Sequence, residues 1–109
     1  MYVKNQSLAK LVNLANLNLG EFIVIDLRSR GYFLISHIKD SINVESLKRI
    51  AFIAQENPDK KILLYCHSGA TAADFGTQLV EMGFQNIYYA DDNYFNLAKY
   101  GIPLEGEGL

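Results

Sequence analysis

FIVID at residues 22–26 and KILLY at residues 61–65 are short aliphatic runs whose apolar positions follow one another without polar alternation. A strand of that kind is covered on both faces, so the chain must fold as a sheet held between other layers. Between and around these runs the period changes to that of helices. In residues 45–55, ESLKRIAFIAQ puts Leu47, Ile50, Ala51 and Ala54 on one stripe, and in residues 72–82 Ala72, Phe75, Gly76, Leu79 and Val80 do the same, with Gly83 as cap. The turn NPDK at 57–60 separates the first of these helices from KILLY, Pro58 ending the helix.

Shorter signals fill in the rest. Residues 41–44 (SINV) and 86–89 (NIYY) are candidate strands. SLAKLVNLANL at 7–17 spaces Leu8, Leu11, Val12, Leu14 and Ala15 as an amphipathic helix stopped by Gly20. DNYFNLAKY at 92–100 predicts a last helix, with Asp91 or Asp92 as N-cap, Gly101 at its end and Pro103 just beyond. Strands that alternate with helices need crossover connections, which give parallel neighbours. The expected fold is therefore α/β, a doubly wound, mostly parallel central sheet with helices on both faces. The chain has 109 residues, half of them hydrophobic, room for one core, so a single domain over 1–109 is expected.

Charge and cysteine content narrow the function. Ten basic against 12 acidic residues give a net charge of −2, which builds no cationic field for nucleic acid. The N-terminal residues lack the unbroken apolar stretch of a signal peptide, and no run is long enough to span a bilayer. One cysteine and two histidines are too few soft ligands for a structural zinc site and leave no internal disulfide. A reducing, cytoplasmic setting is expected, with no nucleic acid and no membrane.

That lone cysteine, Cys66, follows KILLY directly and precedes the helix at 72–82. Ligands of open α/β sheets bind outside the carboxyl ends of the strands, where Cys66 is placed. Residues 66–71 form a tight loop whose unpaired amides, with those of the first helical turn, favour negative charge. Gly69 admits a backbone conformation that a β-carbon resists, and Ala70, Thr71, Ala72 and Ala73 leave room above the sulfur. The arrangement suits a thiolate nucleophile, although a lone cysteine is also among the most readily buried of side chains.

Three motifs together carry a family likeness. DLRSRGYFLISHIKDSINV at 26–44 resembles a pattern of Asp, apolar residue and Arg, then a Gly-His-Ile element and an Ile-Asn segment. CHSGAT at 66–71 is similar to an active-site loop of cysteine, two residues, glycine and two more, and IYYADDNYFNLAKYGIPL at 87–104 is similar to a closing strand and helix ending in Gly-x-Pro. The chain thus resembles the rhodanese-like domains over residues 3–104. That resemblance implies transfer of sulfane sulfur through a Cys66 persulfide, with the loop residues His67, Ser68, Gly69, Ala70 and Thr71 binding the substrate. It further implies a small sulfur donor, such as thiosulfate or a persulfide, a thiol, cyanide or protein acceptor, and no metal or organic cofactor. A monomer or weak homodimer is expected.

The departures from the pattern bear on activity. Thr71 stands where active members often carry Arg, and loss of a charge-assisted hydrogen bond forfeits about 1.5–3 kcal/mol of donor binding. His67, as an imidazolium beside the thiolate, is a candidate to compensate. Ser36 replaces the Gly of Gly-His-Ile, and Asp91 and Asp92 replace a glycine pair, either near the pocket mouth, where they repel a dianion, or as caps of the last helix. Asp26 and Arg28 are expected to pair structurally, and His37 to be a satisfied, partly buried imidazole. Tyr88, Tyr89, Tyr94 and Phe95 read as core and groove packing, Tyr94 also as a pocket wall. Two alternatives accompany the sulfurtransferase: a rhodanese-like binding or regulatory module without turnover, and a phosphatase or arsenate reductase on a related fold. The latter needs one more loop residue and an arginine clamp that neither Thr71 nor Ala72 supplies.

Overall fold

The computed structural model describes residues 3–109. The chain runs through β1 (Lys10–Leu11), β2 (Phe22–Asp26), α1 (Arg30–Ile35), β3 (His37–Ile38), β4 (Ile42–Asn43), α2 (Leu47–Glu56), β5 (Lys61–Tyr65), α3 (Ala70–Glu81), β6 (Ile87–Tyr89) and β7 (Leu104–Glu105), with 3-10 stretches at Leu14–Asn16, Leu19–Glu21 and Tyr94–Tyr100. Five strands make a parallel sheet in the order β1-β6-β5-β2-β4. A separate antiparallel pair joins β3 to β7, His37 opposite Glu105 and Ile38 opposite Leu104.

FIVID and KILLY are the neighbouring inner strands, in register from Phe22 opposite Lys61 to Asp26 opposite Tyr65. Ile62, Leu63 and Leu64 are fully buried because β5 has a strand on each side and a layer on each face. Successive side chains alternate between those faces. Ile62, Leu64 and then Cys66 pack with Ile50 and Ala54 of α2 and Ala72, Ala73 and Leu79 of α3. Leu63 and Tyr65 turn the other way, toward Ile38, Leu97 and Ile102. The cysteine thus leaves the sheet on the α2/α3 side, beneath the first turn of α3.

The expected helix at 7–17 does not form. Lys10 and Leu11 instead pair with Tyr88 and Tyr89, extending the sheet past β6, and Leu14–Asn16 is a single 3-10 turn. Two causes act together. The Asn13 and Asn18 side chains accept from the N–H groups of Ala15 and Gly20, offering the backbone a local alternative to helix. The outer edge of β6 meanwhile presents acceptors, and the Val12 N–H takes the Tyr89 carbonyl.

Other boundaries shift less. Helix α3 begins at Ala70, two residues before the expected start, so Ala70 and Thr71 belong to its first turn. The expected helix at 92–100 is the 3-10 stretch Tyr94–Tyr100, closed by Gly101 in the left-handed region (φ 80°). Helix α1 and strands β3 and β7 went unforeseen. α1 buries none of its residues, and strands of two residues leave no period to read. Among the described residues no helix is long and apolar enough to cross a membrane.

Candidate active site

Cys66 sits one residue beyond β5, and the chain from Cys66 to Gly69 curls back so that backbone amides point at the sulfur. The Gly69 N–H donates to Sγ at 3.2 Å and the Ala72 N–H at 3.4 Å. The curl requires Gly69 in the left-handed region (φ 95°), where it is the N-cap of α3. A β-carbon there would be strained, and it would also meet Asp91 Oδ1 at 3.0 Å and Asn5 Nδ2 at 3.1 Å. The Gly69 carbonyl then accepts the Ala73 N–H, the first bond of the helix. Cys66 is 6% exposed, beneath a surface formed in part by the exposed residues His67, Ala70 and Thr71.

The six loop residues are thus brought together, with different parts. Ala72, outside the loop at 66–71 but within the first helical turn whose amides were expected to favour negative charge, supplies the second amide. The His67 imidazole is exposed and packs edge-on against Tyr32, ring centroids 4.6 Å apart. Its contact is with that ring, and its carbonyl accepts the Tyr94 N–H at 2.8 Å. The Ser68 carbonyl accepts from Asn5 Nδ2 at 3.2 Å. Thr71 puts no cation beside the loop.

A buried polar network lies behind the loop. Asp26, fully buried, accepts from the Arg28 N–H at 2.8 Å, from Arg28 Nε and Nη2, and from the Tyr65 hydroxyl at 2.6 Å. The Tyr65 oxygen in turn accepts the Ile38 N–H. Burial opposes the charge on Arg28, but the bond to Asp26 and its negative charge outweigh it and hold the guanidinium above its ordinary pKa. Burial first, and then Asp26, push the Tyr65 phenol far above its usual value. Arg28 also donates to the Ser36 carbonyl and stacks under the Tyr94 ring, 3.8 Å from its centroid, while the Tyr94 hydroxyl meets Ser36 Oγ at 2.6 Å. Nε and Nη2 of this arginine are held by Asp26 and Ser36, which matches the structural pairing expected of Asp26 and Arg28.

The remaining candidates divide. His37 stacks on Phe33 and reaches the Phe33 carbonyl through Nδ1 and Glu105 through Nε2, a satisfied ring, as expected. Asp92 is not the expected N-cap, a place Asn93 takes without a side-chain cap bond; its carboxylate accepts from the Asn93 N–H, the Asn96 side chain and the Tyr100 hydroxyl, and those bonds outweigh its partial burial and lower its pKa. Asp91 does not cap that stretch. It abuts Gly69 and accepts the backbone N–H groups of Lys4 and Asn5 and the Asn5 side chain. Tyr89 is buried, its hydroxyl on the Asn5 carbonyl, and Tyr94 stacks on Arg28. Phe95 departs from the expected core packing: it is 73% exposed, because the 3-10 turn points it outward next to Tyr94. Among the described residues no group of three or more His, Cys, Asp or Glu is placed to hold a metal ion.

Comparison with known proteins places the chain in a family. The family model for the rhodanese-like domain matches residues 7–99. A thiosulfate sulfurtransferase GlpE from Pseudomonas savastanoi pv. phaseolicola is 29% identical over 83 residues, covering 76% of this chain and 77% of that protein. A tRNA uridine(34) hydroxylase from Photorhabdus laumondii is 25% identical over 96 residues, 79% of this chain but only 27% of that longer protein. Among solved structures, a rhodanese-related protein from Thermoplasma volcanium superposes with a TM-score of 0.74 at 24% identity, over 90% of this chain and 99% of that one.

Proposed function

This chain belongs to the rhodanese-like domain family, and on that premise we propose that it is a sulfurtransferase or persulfide carrier working through Cys66. The observation that carries the reading is the pair of amides, Gly69 and Ala72, directed at Sγ. Such donors stabilise a thiolate, the form in which cysteine attacks. The thiolate attacks the outer sulfur of the donor. From thiosulfate the sulfur–sulfur bond breaks, sulfite leaves with its electron pair, and Cys66 holds the outer sulfur as an anionic persulfide. From a persulfide donor the leaving group is the donor's thiolate. An acceptor thiolate or cyanide then attacks the outer sulfur and Cys66 departs as thiolate. The amides of Ala70 and Thr71, in the first turn of α3 and without an acceptor inside the helix, are the donors available to the terminal sulfur, an oxyanion-hole type of stabilisation.

Two observations favour a persulfide or protein donor over thiosulfate. Thr71 brings no cation, and Arg28 is occupied by Asp26 and Tyr94. The same features, with only 6% of Cys66 exposed, support the second reading, a binding or regulatory module without turnover. Intact mass spectrometry after incubation with thiosulfate and, separately, with polysulfide decides between them. A gain of one sulfur atom that reductant removes and Cys66→Ser abolishes is the expected result. No adduct from either donor, with the thiol still open to alkylation, leaves the binding module.

A further inference from the structure

The segment ahead of β1 lies across the cysteine loop, and its contacts fall on the back of the peptide that matters most. Gly69 is the residue on which the loop turns, and glycine populates positive and negative φ about equally. Rotation of the 68–69 peptide plane by half a turn would carry Gly69 from φ 95° into the ordinary negative region. That rotation would take its N–H off the sulfur. The glycine that permits the cradle therefore does not by itself hold it.

We infer that Asn5 is the positioning residue that locks this plane. The Ser68 carbonyl and the Gly69 N–H belong to one peptide unit and point in opposite directions in its trans form. Asn5 Nδ2 donates to the Ser68 carbonyl at 3.2 Å on one side, while the Gly69 N–H donates to Cys66 Sγ at 3.2 Å on the other. Asn5 is itself held. Its second Nδ2 hydrogen goes to Asp91 Oδ1 at 3.0 Å, its N–H goes to the same oxygen, and its carbonyl accepts the Tyr89 hydroxyl at 2.6 Å. Two acceptors on Nδ2 fix which end of the side-chain amide faces the loop. Asp91, one of the two carboxylates that replace a glycine pair, thus orients Asn5 rather than repelling a donor. The assignment rests on the proposed role of Cys66, but the geometry of the peptide is testable without it.

The experiment compares wild type with Asn5→Ala, with the near-isosteric Asn5→Leu, and with Ser7→Ala. Ser7 ties the same segment to α3 through the Ala73 carbonyl and Thr77, away from the 68–69 peptide. Amide hydrogen exchange by NMR is read at Gly69 and at Ala72, and sulfur uptake from polysulfide by mass spectrometry. Loss of one such hydrogen bond is expected to speed Gly69 exchange about tenfold relative to Ala72 in both Asn5 variants and to slow sulfur uptake about tenfold. Ser7→Ala is expected to lower Tm and leave the Gly69-to-Ala72 ratio unchanged. An unaltered ratio in the Asn5 variants, or an equal change in Ser7→Ala, overturns the assignment. Failure of the wild type to take up sulfur overturns the reading of Cys66 alone, and the Gly69 comparison still decides the role of Asn5.

Discussion

Thr71 is exposed in the first turn of α3, so an arginine introduced there has room to reach a donor anion at the loop. Thr71→Arg is expected to lower the thiosulfate concentration needed for half-maximal persulfide formation by about tenfold, the worth of one charge-assisted hydrogen bond at a solvated site. The same cation opposes the helix dipole, so a slight fall in Tm should accompany the gain. A gain in thiosulfate uptake with no change for polysulfide would mark the effect as donor binding. Gly69→Ala tests the other end of the loop. It combines left-handed strain with a close approach to Asp91, and urea unfolding should show a loss of about 1–3 kcal/mol. At this scale the sequence revealed the thiol and the glycine, because a strand, a cysteine and a helix in succession imply where the sulfur lies. It did not reveal Asn5, or that the His67 ring turns to Tyr32. The first acts across 63 positions, and the second is directed by Tyr32, neither of which local spacing encodes.

Among the elements, the 3-10 stretch at Tyr94–Tyr100 and the β3/β7 pair both hang on carboxylates. Asp92 is lowered in pKa by Asn96, Tyr100 and Asn93, and Glu105 by the Asp40 N–H first and by His37 after it. A carboxylate depressed in the folded state contributes stability above its ordinary pKa and loses it as pH falls through the depressed value. Below about pH 4, amide exchange at Asn93 and Asp40 should therefore rise before that of the β5 amides. Simultaneous exchange at all three would refute this order. The elements most legible in the sequence were the two central strands and α2 and α3, whose apolar periods are long and answered by burial. Residues 7–17 misled because their apolar spacing is genuine but serves an edge strand and a turn, with asparagines competing for the backbone.

For the whole molecule, the sheet class followed from the unbroken apolar strands, whereas the buried Asp26 network that joins β2, β5 and the loop behind Cys66 could be anticipated only as a pair. Asp26→Asn leaves the Arg28 charge buried without its counter-ion, at a cost of about 3–5 kcal/mol. Calorimetry should show a drop in Tm on the order of 10 °C or more; a shift of a degree or two would mean that the network is ornamental. The segment before β1 has a different kind of reach. Lys4 is bound by Asp91, 87 positions further on, and the Leu8 N–H by Thr77, 69 positions further on. During translation these early residues leave the ribosome long before their partners exist, so a nascent chain already carrying its cysteine has nothing yet to seat them on. The seat of that segment on the cysteine loop is in consequence completed only once Asp91 has emerged to receive residues made well before it.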